Sequence, residues 1–238
     1  ALREVAGDFD EEQLSTLLTE RGRLLSLVRP TLDLVEHRRT IIFSPTVAMA
    51  KAVAHTINEF ARFKCGCGAE QWEPADDMRK APVPCKKCGS NLEVEASGEL
   101  AKSLDGSYPD DARKAVYKEH QSGGFQFLSV CGLCREGYND RSLGAVAIFR
   151  PTKSRALAEQ MKGRGCRPLA GLVDGLPTAE ERRAAIAASS KPRALIIDLV
   201  GVTGLADVAS TAHVFAEGKP DEVLELANRN ALEHAKHG

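Results

Sequence analysis

Residues 40–57, TIIFSPTVAMAKAVAHTI, join a short apolar run to a segment with helical spacing. The run Thr40–Phe43 is rich in β-branched and aromatic residues and predicts a buried strand. After Thr46 the apolar residues recur at intervals of three and four, which predicts an amphipathic helix. These residues are Ala50, Val53, Ala54, Ile57 and Ala61. The stretch therefore predicts a strand that leads directly into a helix.

The same alternation continues along the chain. Further strands are predicted at residues 99–104, 126–130, 145–149 and 194–197. Helices are predicted from Pro109 to about Gln121, from Thr152 or Ser154 through Met161, from a Thr178 and Glu181 capping box to about Ser189, and from Pro220. Continuous apolar strands that alternate with helices predict an α/β fold, with a parallel sheet covered by helices on both faces.

Other parts of the chain depart from this alternation. Residues 64–92 contain Cys, Gly and Pro but no long apolar run, so we expect a small insertion there. Two helix-like segments, 11–20 and 24–37, precede the first strand. The expected organisation is a helical approach segment at 1–38, an α/β domain at 39–205 interrupted by the insertion at 64–92, and a helical extension at 206–238.

Composition limits the class of protein. The 238 residues are 43% hydrophobic and 27% charged, which excludes a disordered or low-complexity chain. No apolar run approaches the roughly 18 residues that a membrane helix needs, and the first residues do not form a signal peptide. We therefore expect a soluble, cytoplasmic protein. Lys and Arg number 32 against 33 Asp and Glu, so any nucleic-acid surface must be a local patch.

Four of the seven cysteines form two close pairs, Cys65-x-Cys67 and Cys85-x-x-Cys88, and each pair is followed by Gly. Two such knuckles are typical of a zinc site with four thiolate ligands. Because the protein would fill all four positions, the metal would be structural. The alternative is four unrelated reduced cysteines, and the short first spacing favours it.

The remaining cysteines and the histidines carry weaker signals. Cys131 and Cys134 match the same spacing, but they follow a predicted buried strand and have no second pair nearby, so we interpret them as core packing. Cys166 is expected to be incidental. His55 and His120 lie on predicted helices and are expected at the surface or its boundary.

Residues 148–168 carry six basic side chains against one acidic side chain, Glu159. Charge alone does not distinguish a surface that binds polyanions from a solvated helix face. Within the segment, Arg164 and Arg167 stand three residues apart and Arg164 follows Gly163, an arrangement that suits two guanidinium groups converging on a polyanion such as a nucleotide γ-phosphate.

Four landmarks, in order, resemble the second RecA-like domain of superfamily-2 helicases, in particular the DEAD/DEAH-related helicases of phages and restriction systems. The resemblance covers about residues 38–200 apart from the insertion. Ile41–Thr46 resembles motif IV, Leu104-Asp105-Gly106 with Arg113 resembles the element that follows, Glu136–Asn139 resembles motif V, and Arg150–Ser154 leading to Gln160, Gly163, Arg164 and Arg167 resembles motif VI.

The resemblance implies roles for individual residues. Arg164 and Arg167 match arginine fingers that stabilise charge on the ATP γ-phosphate during hydrolysis. Gln160 matches the polar residue that opens motif VI. Gly137 and Asn139 match positions that couple nucleotide to nucleic acid, although many relatives have Asp in place of Asn139 and Pro in place of Arg141. The residues that match the strand-binding face, which grips the phosphate backbone, are Thr46, Asp105, Gly106, Arg113, Thr152 and Lys153.

The sequence lacks the Walker A loop and the Walker B acidic pair that such motors need. Asp221–Leu224 resembles a DEAD-type box only superficially, because it follows motif VI on a predicted terminal helix. The resemblance therefore implies the C-terminal half of a motor, in the cytoplasm of a bacterial or phage-infected cell. ATP and Mg would be shared with a separate N-terminal RecA-like domain, and the partner would be a nucleic acid, with DNA favoured over RNA. The alternative is a non-catalytic zinc-ribbon module for nucleic-acid binding or assembly.

Overall fold

The computed structural model describes residues 4–5, 8–9, 16, 19–76, 82–132, 138–150, 152 and 154–199. In chain order the elements are β1 (Glu4–Val5), β2 (Asp8–Phe9), α1 (Arg21–Val35), β3 (Thr40–Phe43), α2 (Val47–Asn58), β4 (Phe60–Lys64), β5 (Glu70–Pro74), β6 (Glu93–Ala96), β7 (Ala101–Leu104), α3 (Asp110–Gln121), β8 (Phe127–Val130), β9 (Ala145–Ile148), α4 (Arg155–Gly165), α5 (Ala179–Ala187) and β10 (Leu195–Asp198).

Five strands form one parallel sheet in the order β10-β9-β3-β8-β7. The central strand β3 pairs on both sides, and Thr40 lies opposite Phe127 of β8 and Ala145 of β9. All four residues of β3 are buried, as are those of β8 and β9. The predicted α/β fold with a parallel sheet is confirmed.

Helices cover both faces of this sheet, as predicted. Side chains alternate between the faces of a strand, so Ile42 belongs to one core and Ile41 and Phe43 to the other. The first core contains the apolar stripes of α1 and α2, whereas the second receives Val116 and Tyr117 from α3 and Met161 from α4. The three inner strands β3, β8 and β9 are therefore enclosed between two helical layers, whereas the edge strands β7 and β10 are partly exposed.

Helix α2 follows the spacing seen in the sequence. The side chain of Thr46 caps it by accepting a hydrogen bond from the backbone N–H of Met49 (3.2 Å). The predicted apolar positions through Ile57 are buried, but Ala61 is not helical. It lies in β4, because the helix ends at Asn58 and residues 60–64 pair with β5 and β6. The long-range strand pairing overrides the local helical spacing at that position.

The cysteine-bearing unit is a small antiparallel sheet in the order β5-β4-β6. It begins at Phe60 and ends at Ala96, four residues outside each end of the predicted 64–92 insertion. Trp72 of β5 belongs to the first core of the parallel sheet and packs edge-to-face on Phe127, with ring centroids 5.7 Å apart. We call residues 60–96 the ribbon; it is docked onto the main core through this tryptophan.

The two ends of the chain are described to different extents. Helix α1 overlaps the predicted segment 24–37 but begins three residues earlier, at Arg21, and ends two residues earlier, at Val35. It buries Leu24, Val28 and Leu32 in the first core. The predicted helix of residues 11–20 lies largely outside the described residues, and the helix after Pro220 and the extension 206–238 lie wholly outside them. In the described part of the chain, no helix combines the length and the apolar character that crossing a bilayer requires.

Candidate nucleotide-facing site and metal centre

Three of the residues matched to strand binding lie where strands of the parallel sheet end. Thr46 follows β3, and Asp105 and Gly106 follow β7. Thr152 comes four residues after β9. Because parallel strands run in one direction, these positions share the carboxyl edge of the sheet. Lys153 lies outside the described residues.

Most polar side chains at this edge form hydrogen bonds with nearby residues and stabilise local turns. Asp105 is buried, and its Oδ1 accepts the backbone N–H of Ser107 (2.8 Å). Hydrogen bonding from Ser107 lowers the pKa of Asp105 despite burial of the carboxylate. Thr152 is also buried, and its hydroxyl accepts the N–H of Ser154 (3.0 Å). Gly106 is exposed, and Arg113 pairs with Asp110. The edge therefore offers the exposed backbone of residue 106 and the half-buried Thr46, and Asp105 fixes the turn beneath.

The two candidate arginine fingers lie beside the segment that resembles motif V. Arg164 Nη1 donates to the backbone carbonyl of Tyr138 (2.6 Å), 26 residues away, and Arg167 Nη1 donates to Asn139 Oδ1 (2.5 Å), 28 residues away. Arg164 is half-buried, whereas Arg167 and Asn139 are exposed. The sequence-predicted residues Arg164, Arg167 and Asn139 are thus brought together, and Gly137 lies outside the described residues.

Helix α4 carries these arginines to the amino edge of the sheet. It begins after β9 at the carboxyl edge and runs back across the sheet to the start of β10. Gly165 makes this close return possible, since a Cβ there would lie 2.8 Å from Val146 Cγ2. Gln160 is exposed one turn before Arg164 on the same helix. The arginines and the strand-binding candidates therefore occupy opposite edges of one sheet.

A buried polar network, which the sequence did not reveal, anchors the motif V segment. The Tyr138 hydroxyl lies 2.6 Å from His120 Nδ1 and 3.2 Å from Asp140 Oδ2. Asp140 also pairs with Arg39 (3.6 Å) and accepts the backbone N–H of Ser142 (2.8 Å). The polar side chains of residues 138 and 140 hold this segment against the end of α3.

His120 corrects the expectation that it lies at the surface, because its side chain is fully buried. Burial lowers its pKa to about 4. Its Nε2 lies 3.1 Å from the carbonyl oxygen of Gln126 and its Nδ1 faces the Tyr138 hydroxyl, so both ring nitrogens have polar partners. The partners of His120 come from other elements, and helix spacing could not show them. His55, by contrast, is exposed as expected.

Lys162 shows that the basic segment is not a uniform surface patch. It is 2% exposed, and its Nζ has no hydrogen-bond partner among the described residues. Burial lowers the pKa of Lys162, and the charges of Asp198 and Glu159 act against this. One of the six basic side chains counted in residues 148–168 therefore faces inward between Gln160 and Arg164.

The four cysteine sulfurs of the ribbon converge on one point, all within 4.8 Å of one another. Cys65 Sγ lies 3.4 Å from Cys88 Sγ, and Cys67 Sγ lies 3.8 Å from Cys85 Sγ. Tetrahedral ligation with metal–sulfur bonds of about 2.3 Å separates sulfurs by about 3.8 Å, so the donors fit one metal ion. Cys65 and Cys85 are buried, whereas Cys67 and Cys88 are exposed.

Two tight turns shape the metal centre. Gly68 and Gly89 have φ angles of +82° and +77°, which L side chains rarely adopt. The Gly68 N–H donates to the carbonyl of Cys65, and the Gly89 N–H donates to the carbonyl of Cys85, both at 2.8 Å. Hydrogen bonds from the Ser90 side chain and backbone, with a smaller contribution from Cys65, lower the pKa of Cys88 to about 6. The backbone N–H of Cys67 also lowers the pKa of Cys65, but the side chains of Cys88 and Cys67 raise it overall. Within this close pair, Cys88 therefore becomes a thiolate before Cys65.

The other cysteines stand apart from this centre. Cys131 directly follows β8 and is half-buried, and its Sγ donates to the carbonyl of Pro45 (3.5 Å). Cys134 lies outside the described residues, so the Cys131-x-x-Cys134 interpretation is not tested. Cys166 is exposed at the end of α4.

No protein-family profile and no curated protein matches the sequence. Solved structures resemble the chain at low identity. The helicase Lhr of Mycobacterium smegmatis, bound to ssDNA and AMP-PNP, is 19% identical over 60% of this chain and 15% of its own, with a TM-score of 0.40. The DUF1998 helicase MrfA, bound to DNA and AMPPNP, is 12% identical over 78% of this chain and 17% of its own, with a TM-score of 0.38.

The yeast DEAD-box splicing factor Prp28 is 10% identical over 94% of this chain and 31% of its own, with a TM-score of 0.41. The chain thus spans less than a third of the length of each of these structures.

Proposed function

We propose that this chain is the second RecA-like domain of an ATP-dependent nucleic-acid helicase or translocase. One observation carries the proposal. Arg164 and Arg167, predicted as arginine fingers, contact Tyr138 and Asn139 of the segment that resembles motif V, across 26 and 28 residues of sequence. Two motifs found separately in the sequence thus meet in one place, as a nucleotide-facing site requires.

The arrangement suits conversion of nucleotide hydrolysis into strand movement. Each guanidinium has five N–H donors, so one bond to residues 138 and 139 leaves others for a phosphate. Positioned cations stabilise the charge that develops on the γ-phosphate during hydrolysis. Residues 138–144, the described end of the connection from the carboxyl end of β8 to the amino end of β9, lie beside the arginines. Movement of this segment would couple the two edges.

The ribbon would bind zinc in this proposal. Four thiolates are soft ligands that select zinc over the oxygen-preferring Mg and Ca, and a site filled by four protein ligands is structural. Cys65, Cys67, Cys85 and Cys88 would hold the ion. Walker A and B residues of an N-terminal RecA-like domain would supply the phosphate cradle and the Mg ligands, and the exposed edge at Thr46 and Gly106 would contact a nucleic-acid backbone.

Substitution of Arg167 in the two-domain enzyme tests the proposal. An arginine finger acts mainly on the transition state, so Arg167→Ala should lower kcat by on the order of 10³-fold and change ATP affinity much less. Arg167→Lys should remain close to Arg167→Ala, because an ammonium cannot present the planar fork of donors. Steady-state and single-turnover hydrolysis assays measure both effects.

Strand binding without nucleotide provides the control. We expect Arg167→Ala to leave it nearly unchanged, whereas Lys153→Ala should weaken it and reduce its salt dependence by about one counterion. If Arg167→Ala abolished strand binding and left stimulated hydrolysis within a few-fold of wild type, these arginines would form a nucleic-acid patch. The non-catalytic zinc-ribbon module would then be the better description.

A further inference from the structure

A cavity of about 590 Å³ opens at the amino edge of the parallel sheet, and the proposed function does not use it. Its basic lining residues are His37, Arg38, Arg39, Lys191 and Arg193, and the hydroxyls of Ser142 and Ser190 also line it. None of the lining residues is acidic. This concentration of cations contrasts with the chain as a whole, whose formal net charge is −1.

Strand register explains why these residues meet. Thr40, Ala145 and Leu195 are aligned as the first residues of β3, β9 and β10. The residues just before them therefore lie side by side. The backbone N–H of Gly144 donates to the carbonyl of Arg39, and the N–H of Leu195 donates to the carbonyl of Gly144, both at 3.0 Å. Gly144 leaves room for Arg38, since a Cβ at position 144 would lie 3.0 Å from Arg38 Cβ.

The cationic side chains of the cavity differ in how many ion pairs and hydrogen bonds they already form within the chain. Arg38 pairs with Glu36 (2.6 Å), and Arg39 pairs with Asp140 (3.6 Å) and also bonds Ser142 and the end of α3. Lys191 Nζ donates to the carbonyls of Arg141 (2.9 Å) and Arg167 (2.8 Å) and keeps one further donor. In the described part of the chain, His37 and Arg193 have no polar partner.

We propose that this cavity binds a run of consecutive phosphate groups. Anionic oxygens would relieve the repulsion among the cations and accept from Arg193, His37 and the remaining donor of Lys191. Burial lowers the pKa of Lys191, so a nearby anion also favours its charged form. The volume exceeds what a single phosphate needs, and no Phe, Tyr or Trp lines the cavity to stack a base. The site therefore recognises a phosphate chain, either a nucleic-acid backbone or a free oligophosphate.

Binding by the 238-residue chain tests the site, with inorganic tripolyphosphate and a mixed-sequence single-stranded DNA as separate probes. We expect His37→Ala/Arg193→Ala to weaken tripolyphosphate binding by about ten-fold in calorimetry. Arg183→Ala is the matched control, because Arg183 is exposed on the neighbouring α5 and does not line the cavity. Circular dichroism checks that the variants are folded, and Arg193→Gln serves as a second, milder variant.

The DNA probe identifies the source of the phosphates. A parallel loss of DNA affinity, with a salt slope reduced by about one, would indicate a nucleic-acid backbone; unchanged DNA binding would indicate a free oligophosphate. Absence of tripolyphosphate binding by wild type, or equal losses in the Arg183 and Arg193 variants, would overturn the proposal. Neither probe involves ATP turnover, so this result is independent of the Arg167 test.

Discussion

The imidazole of His120 is neutral in the folded chain because burial lowers its pKa to about 4. In the unfolded chain the pKa of the same imidazole is about 6.5. Between these two values the unfolded state binds more protons than the folded state, so acidification favours unfolding. His120 therefore makes the stability of the motif V anchor sensitive to pH.

We expect the free energy of unfolding to fall by up to about 3 kcal/mol as the pH drops from about 6.5 to about 4. Urea denaturation at several pH values measures this slope of the free energy of unfolding against pH. His120→Gln should remove it, whereas His55→Gln should retain it, because the His55 side chain is 81% exposed. Equal slopes for wild type and His120→Gln would show that another group controls the acid transition.

At the scale of elements, helix α1 is part of the main core. Leu32 on this helix is completely buried, whereas Leu34 is 50% exposed. Leu32→Ala should lower the free energy of unfolding by about 2–5 kcal/mol, because it leaves a cavity between α1 and the sheet. Leu34→Ala is the control and should change it by less than about 0.5 kcal/mol. Similar small effects of both variants in urea denaturation would mean that α1 does not stabilise the sheet.

The ribbon should carry about one zinc ion per chain and resist mild chelation, because ligation and local folding are coupled. Cys65→Ser or Cys88→Ser should lose the metal in elemental analysis. Cys166→Ser should keep it, because this exposed cysteine lies outside the cluster. Circular dichroism should show that the parallel sheet survives, since its five strands pair only with one another among the described residues. Carefully prepared wild type without zinc, with Cys65 and Cys85 freely alkylated, would rule out the metal centre.

The elements that the sequence predicted well are those whose signals are local. The strand Thr40–Phe43, the cap that Ser154 provides and the capping box at Thr178 each depend on neighbouring residues, and each is found. The prediction that Ala61 lies on the helix was wrong, because Ala61 pairs with β5, a strand several residues further along the chain. Local patterns fix an element, whereas its ends also depend on distant strands.

The candidate sites follow the same rule. The four cysteines could be grouped from spacing alone, and their sulfurs do converge. A resemblance selected Arg164, Arg167 and Asn139 as site residues, but their contacts were not predicted, because no local pattern joins positions 26 and 28 residues apart. Burial of His120 and Lys162 left no signal at all, since each is enclosed by several separate elements.

At the scale of the whole molecule, the two edges of the sheet have different tasks in the proposed function. The sequence contains the candidate arginine fingers Arg164 and Arg167 but no Walker A or B motif. Alone, it should therefore give no steady-state ATP hydrolysis and should bind single strands weakly, with an affinity that falls steeply as salt rises. Coupled-enzyme assays and filter binding measure the two properties. Robust turnover by purified, contaminant-free chain would contradict the half-motor proposal.

The chain contains one tryptophan, and it lies where the ribbon meets the parallel sheet. Trp72 belongs to the ribbon by sequence, yet its ring is 2% exposed, packed on Phe127 and faced by the guanidinium of Arg62. Undocking of the ribbon would move this indole from an apolar environment into water. Fluorescence excited at the long-wavelength edge of the absorption band, where the three tyrosines do not absorb, therefore comes from this one indole. A red shift of that emission would report separation of the ribbon without any added label.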